Sequence, residues 1–168
     1  MQIEISLDGK FLYCINNLND TNNKLTRYNI TSSALRDART LAEGVTNFAL
    51  DGSDPYAVIV FSNDKISLYY EDNLKELSES SYHDFFFVDR TLFYYDDYNY
   101  VTQSGTLCSV RNGKISVIDT DVYDFNVRKY NTVSYIKGYD SETGGGTLYI
   151  KEGKRVKRQS GRVDAIIN

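Results

Sequence analysis

Seven side chains in two stretches have the types that hold a ligand. Asp96, Asp97, Tyr98 and Tyr100 form the first group, and Tyr139, Asp140 and Glu142 the second. Tyrosine offers a flat, amphipathic face with a polar tip, and the carboxylates add charge. Such a set suits a protein or carbohydrate ligand. Two carboxylates held about 5 to 10 Å apart would also suit glycoside chemistry, so an enzyme acting on carbohydrate or peptide is the alternative. Both groups fall in polar stretches, 96–104 and 138–146, that read as loops between strands. Loops on a rigid scaffold commonly carry binding residues, and commonly only connect.

The remaining candidates point to structure. His83 is the only histidine. It stands beside Tyr82 and Asp84, where an imidazole could serve as a base. No nucleophile accompanies it, and zinc would need more nitrogen and sulfur ligands, so a capping role is expected. Cys14 and Cys108 read as two small buried hydrophobes rather than a disulfide framework. The loop 16–23 is rich in side-chain oxygens but holds one carboxylate and lacks EF-hand spacing, so calcium is not expected. Asn19 and Asn29 open formal glycosylation sequons. Gly144, Gly145 and Gly146 lack the Lys-Ser/Thr of a phosphate loop. Lys151, Lys154, Arg155, Lys157, Arg158 and Arg162 could meet an anionic polymer or lipid headgroups. They also suit an outer strand protected against edge-to-edge pairing, the reading favoured here. No cofactor or metal is implied.

The elements that must position these residues are strands. The 168 residues include 15 Tyr and 8 Phe, no Trp and 1 Pro, a composition that favours pleated, half-buried structure. A net charge of −4 argues against nucleic acid as the partner. No apolar run approaches the roughly 18 residues of a spanning helix, and the first residues lack the features of a signal peptide. Ile3, Ile5 and Leu7 alternate up to Asp8-Gly9, and Phe11, Tyr13 and Ile15 alternate after it, which is a hairpin signature. Ala34, Leu35, Ala38 and Leu41 have helical spacing, but the matching positions of later repeats are strand-like, so a strand is expected there.

The repeat is the strongest signal. Leu25, Ile66, Leu107 and Leu148 recur about every 41 residues, and Ile5, Phe48, Phe85, Phe125 and Ile166 about every 40. Four strands per unit at this period are the signature of propeller blades. A single blade cannot bury both faces, so blades stack. The segment 24–61, with Leu25-Thr-Arg-Tyr-Asn-Ile, Leu41-Ala-Glu-Gly-Val, Asn47-Phe-Ala-Leu-Asp-Gly and the apolar run from Tyr56 to Phe61, resembles the repeats of bacterial propellers of unknown function. These occur on surface and lipid-anchored proteins of Gram-positive bacteria, and are distantly similar to TolB-like and YWTD propellers. Later units lose the Asp-Gly corner, carrying Asp89-Arg90 and Lys129-Tyr130 instead. The Trp-bearing motifs of WD repeats and sialidases are absent.

The sequence therefore predicts an all-β, β-propeller-like domain over 1–168. Its four blades are 2–44, 45–81, 82–121 and 122–162, with one extra strand at 163–168. The resemblance implies a non-catalytic binding or scaffold module of a bacterial surface-associated protein. The cell surface is the expected location for a fragment of an exported protein, and the cytoplasm otherwise. Assembly is a third reading, with an open blade edge or the extra strand completing a ring in a homo-oligomer.

Overall fold

A computed structural model describes all residues except 17–22, 53, 63, 64, 71, 80–83, 167 and 168; the side chains of 55, 56 and 160 also lie outside it. The described residues form antiparallel strands and no helix. None of their elements is a helix long and apolar enough to cross a membrane. Two units divide the chain, Met1–Ser81 and Tyr82–Asn168.

The first unit holds two four-stranded sheets in sequential order. One comprises β1 (Gln2–Ile5), β2 (Phe11–Ile15), β3 (Lys24–Ile30) and β4 (Leu35–Glu43); the other comprises β5 (Asn47–Asp51), β6 (Asp54–Ser62), β7 (Lys65–Tyr70) and β8 (Asn73–Ser78). The helical spacing after Thr31 is overridden. Thr31 Oγ1 takes the Ala34 N–H and donates to its carbonyl, making a turn, and β4 then pairs along β3. Most of β4 is exposed, and only Leu41 and Ala42 are buried. The two sheets are joined by a seam in which Tyr13, Ile15, Leu25 and Val45 pack with Phe48, Val58 and Val60.

The second unit is a seven-stranded sheet running from β9 to β15. Its strands are β9 (Phe85–Val88), β10 (Thr91–Asn99), β11 (Ser104–Arg111), β12 (Lys114–Lys129), β13 (Thr132–Asp140), β14 (Gly145–Glu152) and β15 (Arg155–Val163). The hairpin turns follow local chemistry. Asn112 and Gly113 both take positive φ (49° and 70°), the geometry of the two-residue turn that this pair favours. Asp89 and Arg90 adopt the same left-handed pair (50° and 58°) without a glycine.

β12 was expected as two strands and is a single one of 16 residues. Its first half pairs with β11 and its second half with β13, and only Val122 pairs with both. Within the one sheet the strand thus changes partner along its length, turning at Asp121 (φ 56°). A seam forms here too, with Phe93, Tyr95, Leu107 and Val122 against Phe125, Val133 and Tyr135. Cross-strand partners put the two seams in register. Leu25 faces Ala42 as Leu107 faces Asp119, and Phe48 faces Val60 as Phe125 faces Tyr135.

The extra strand expected over 163–168 does not form in its described part. Val163 ends β15, and 164–166 is not strand. The segment is nevertheless held, because the Ile166 N–H donates to Asp124 Oδ2 at 3.0 Å. Gln2 makes the counterpart contact in the first unit, where its side-chain amide donates to the Phe48 carbonyl at 2.9 Å.

Candidate functional site

The stretches expected as long loops are mostly strand. β10 runs to Asn99 and β13 to Asp140, leaving only 100–103 and 141–144 as connections. Glycine lets these hairpins close tightly. A Cβ on Gly146 would sit 2.5 Å from Ile136 Cγ2 and 2.9 Å from the Lys137 carbonyl. Asp96, Asp97 and Tyr98 therefore belong to a strand, and a bulge between Asp96 and Asn99, with Asp97 at φ 50°, decides where they point. In an unbroken strand Tyr95 and Tyr98 would face opposite sides. The extra residue of a bulge changes the alternation, so both rings join one cluster, 5.2 Å apart.

That cluster is continuous from the core outwards. Phe86 meets Phe125 at 5.3 Å, Phe125 meets Tyr95 at 5.1 Å, and Tyr98 meets Tyr100 at 5.2 Å. Tyr98 is buried while Tyr100 is 59% exposed. The outer rings open on a cleft of about 390 Å³ lined by Asp84, Tyr98, Tyr100, Gln103, Tyr123, Asp124, Asp164 and Ala165. Three carboxylates and three phenols thus share one concavity. Burial holds the Tyr98 and Tyr123 hydroxyls above the ordinary phenol range, and the bond between Tyr123 and Tyr139 adds to the latter. These phenols stay neutral.

A second cleft of about 580 Å³ lies between the two hairpin tips, lined by Val101, Thr102, Gln103, Tyr139, Asp140, Ser141 and Glu142. Tyr139 lines this one and Tyr123 the first, and their rings stack at 3.7 Å with 5° between planes. Asp140 is engaged by its own hairpin. It accepts the Thr143 hydroxyl at 2.5 Å and the Glu142 N–H at 2.9 Å, and Arg162 lies 3.6 Å away. The Thr143 hydroxyl, then the Glu142 N–H, hold its carboxyl below the usual range.

Of the seven residues singled out from the sequence, Tyr98 and Tyr100 line the first cleft and Tyr139, Asp140 and Glu142 the second. Asp96 and Asp97 line neither. Asp96 bears instead on the Tyr94 and Cys108 side of the sheet, where its charge raises both groups further after burial has raised them. The sequence reading passed over Gln103, Tyr123, Asp124 and Asp164, and took Asp84 only as a neighbour of His83. A signal was present, since Asp84, Asp124 and Asp164 recur at the blade period.

Cys14 and Cys108 are buried free thiols, and burial pushes Cys108 up to about 11. That is the reverse of an activated nucleophile. Among the described residues no group of three His, Cys, Asp or Glu side chains is placed to hold a metal. His83 and the polar loop 17–22 lie outside the described residues.

No family model and no curated protein matches the chain. Solved structures do. An uncharacterised protein of Listeria monocytogenes aligns with a TM-score of 0.52 at 11% identity, over 94% of this chain and 52% of that one. A puromycin hydrolase variant aligns with a TM-score of 0.52 at 11% identity, over 96% and 29%. A Saccharomyces cerevisiae assembly of Dbp5 with Nup159 and Gle1 contains a chain aligned with a TM-score of 0.50 at 11% identity, over 94% and 42%. At this identity the likeness concerns fold. The chain spans about half or less of the length of the structures it matches.

Proposed function

We propose that the chain is a run of four propeller blades, 2–44, 45–81, 82–121 and 122–162, serving as a non-catalytic binding module. The observation that carries the binding reading is the cleft where Asp84, Asp124 and Asp164 meet the rings of Tyr98, Tyr100 and Tyr123. Carboxylates attract a cation, and aromatic faces hold it through the ring quadrupole. The ligand is therefore a protein or peptide segment presenting lysine or arginine. The reading of the parent protein as one of a bacterial surface is supported only by the resemblance of segment 24–61 to the repeats of such proteins.

Calorimetry with oligo-arginine and oligo-lysine peptides tests the cleft, with an oligo-glutamate peptide as control. The cationic peptides bind, and D84N/D124N/D164N weakens binding by about tenfold or more. A variant neutralising Asp37, Glu79 and Asp89, exposed and outside both clefts, removes the same charge elsewhere. Equal loss in both variants would show general electrostatic attraction and overturn the cleft as the site.

A further inference from the structure

The two clefts of the second unit share a wall, and every residue lining them belongs to that unit. One part of the wall is the tip of the β10–β11 hairpin. Tyr100 lines the first cleft, Val101 and Thr102 line the second, and Gln103 lines both. The tip is fixed by its own hydrogen bonds. Asn99 Oδ1 accepts the Val101 N–H at 2.8 Å and the Thr102 N–H at 3.2 Å. The Thr102 hydroxyl meets Ser104 Oγ, which donates to Asp121 Oδ1. The other part of the wall is the stacked pair of Tyr123 and Tyr139, one ring lining each cleft. Carboxylates stand on both sides of this wall. The first cleft has three, and the second has Asp140 and Glu142. Arg162 offsets Asp140 at 3.6 Å, so among the described residues the charge left to the second cleft is that of Glu142.

Resting on the binding reading above, we propose that the two clefts form one bipartite site. Its ligand is an extended peptide segment with two basic side chains, one seated in each cleft. A single basic side chain occupies one cleft only, because the ring pair and Gln103 stand between them. The width of the wall sets the spacing of the pair. The ring planes lie 3.7 Å apart. A cation in van der Waals contact with each outer face then lies about 11 Å from the other. An extended chain advances about 7 Å in two residues and turns alternate side chains to the same side. Lysine and arginine stems add reach, so one to three intervening residues let the pair straddle the wall. Seating the second cation is then intramolecular, and the gain depends on spacing rather than on total charge.

The test is an NMR titration of the full chain with end-blocked peptides in which two arginines flank zero to six glycines, and with a one-arginine reference. The second arginine is expected to tighten binding by about tenfold or more across one to three glycines, and by less at either extreme. The Ser141 amide shifts with the paired peptide and stays in place with the single one. E142Q removes the gain and leaves the one-arginine peptide unchanged. E79Q, exposed and outside both clefts, changes neither. A gain indifferent to spacing, or equal losses in E142Q and E79Q, overturns the bipartite site and leaves the first cleft standing. A one-arginine peptide that ignores D84N/D124N/D164N overturns the first cleft itself and the bipartite site with it, as does the absence of binding by any of these peptides.

Discussion

The two seams follow one backbone plan with different chemistry. In the first unit the position facing Leu25 is Ala42, and the position facing Phe48 is Val60. In the second unit the same positions hold Asp119 and Tyr135. Tyr135 donates to Asp119 Oδ2 at 2.9 Å, and Lys137 reaches Oδ1 at 2.5 Å. The first seam is apolar at this point, with Leu25, Ala42, Phe48 and Val60, and keeps an ion pair at its rim. There Asp72 takes Arg39 at 2.6 Å and the Tyr69 hydroxyl at 2.8 Å, with 59% of its side chain exposed. The Asp119 side chain is only 26% exposed. One register therefore accepts either an aliphatic filling or a satisfied polar trio, provided every polar atom finds a partner.

Removing the shared anchor has the largest effect. Phe48→Ala and Phe125→Ala each cost about 3 to 5 kcal/mol, by lost burial and the cavity left behind. Phe125→Ala is the more damaging, since its ring also meets Phe86 and Tyr95 edge-on. Denaturant titration measures the size, and hydrogen exchange shows which unit loosens. Equal effects would mean that these ring contacts add nothing to burial.

The polar trio comes next. Asp119→Ala leaves the Tyr135 hydroxyl and the Lys137 ammonium without their acceptor, at a cost of roughly 1 to 3 kcal/mol given partial exposure. Ala42→Asp, the reciprocal change, puts a carboxylate where the first seam offers Val60 and Ser62 in place of Tyr135 and Lys137, and destabilises by a similar amount. Acid separates the seams as well. Burial raises the Asp119 carboxyl, but bonds from Lys137, the Thr120 N–H and Tyr135 outweigh it and hold the folded value low. An unfolded aspartate titrates near about 3.9. The stability from Asp119 is complete above that value and is lost as pH falls through the lower folded one. Exchange protection in the second unit falls over this window, and D119N flattens the loss.

The smallest effects sit at the residues that lead the chain into each seam. Val45 and Val122 enter equivalent seam positions, and each follows a left-handed residue, Gly44 at φ 66° and Asp121 at φ 56°. Gly44→Asp costs about 1 kcal/mol, because an L side chain is strained there. Asp121→Gly relieves that strain but loses the bond from Ser104 Oγ at 3.1 Å, so its stability in a denaturant titration changes by less than about 0.5 kcal/mol. A large loss in Asp121→Gly would show that the hydrogen bond, rather than the backbone, shapes the turn there.

Much of this plan was legible in the sequence. The spacing of Leu25 and Leu107 located equivalent strands, and Asn112-Gly113 announced its hairpin. The helical spacing after Thr31 misled only locally, because pairing along β3 outweighs propensity in a strand with one edge exposed. The boundary at 121/122 was legible in the repeat, but not that β12 runs through it unbroken, since a left-handed aspartate turns the chain without the glycine that marks such a corner at Gly44. The trio escaped for a related reason. Asp119, Tyr135 and Lys137 are far apart in sequence, and each reads singly as a surface residue. Within the candidate site, rings near Tyr98 drew notice by their density. Asp84, Asp124 and Asp164 are marked in the sequence only by their spacing of one blade period, and the fold gathers them.

The uninterrupted β12 also sets where this polypeptide can be opened. Between the first two sheets the chain passes through Gly44–Thr46, a short stretch outside both strands, so a nick or an inserted peptide there leaves each ladder whole. Between 119 and 124 no such stretch exists, because every residue belongs to β12, which pairs with β11 before Val122 and with β13 after it. Split or permuted forms of the protein should therefore reassemble from a break at 44–46, while the same break at 120–122 severs a strand that ties β11 to β13.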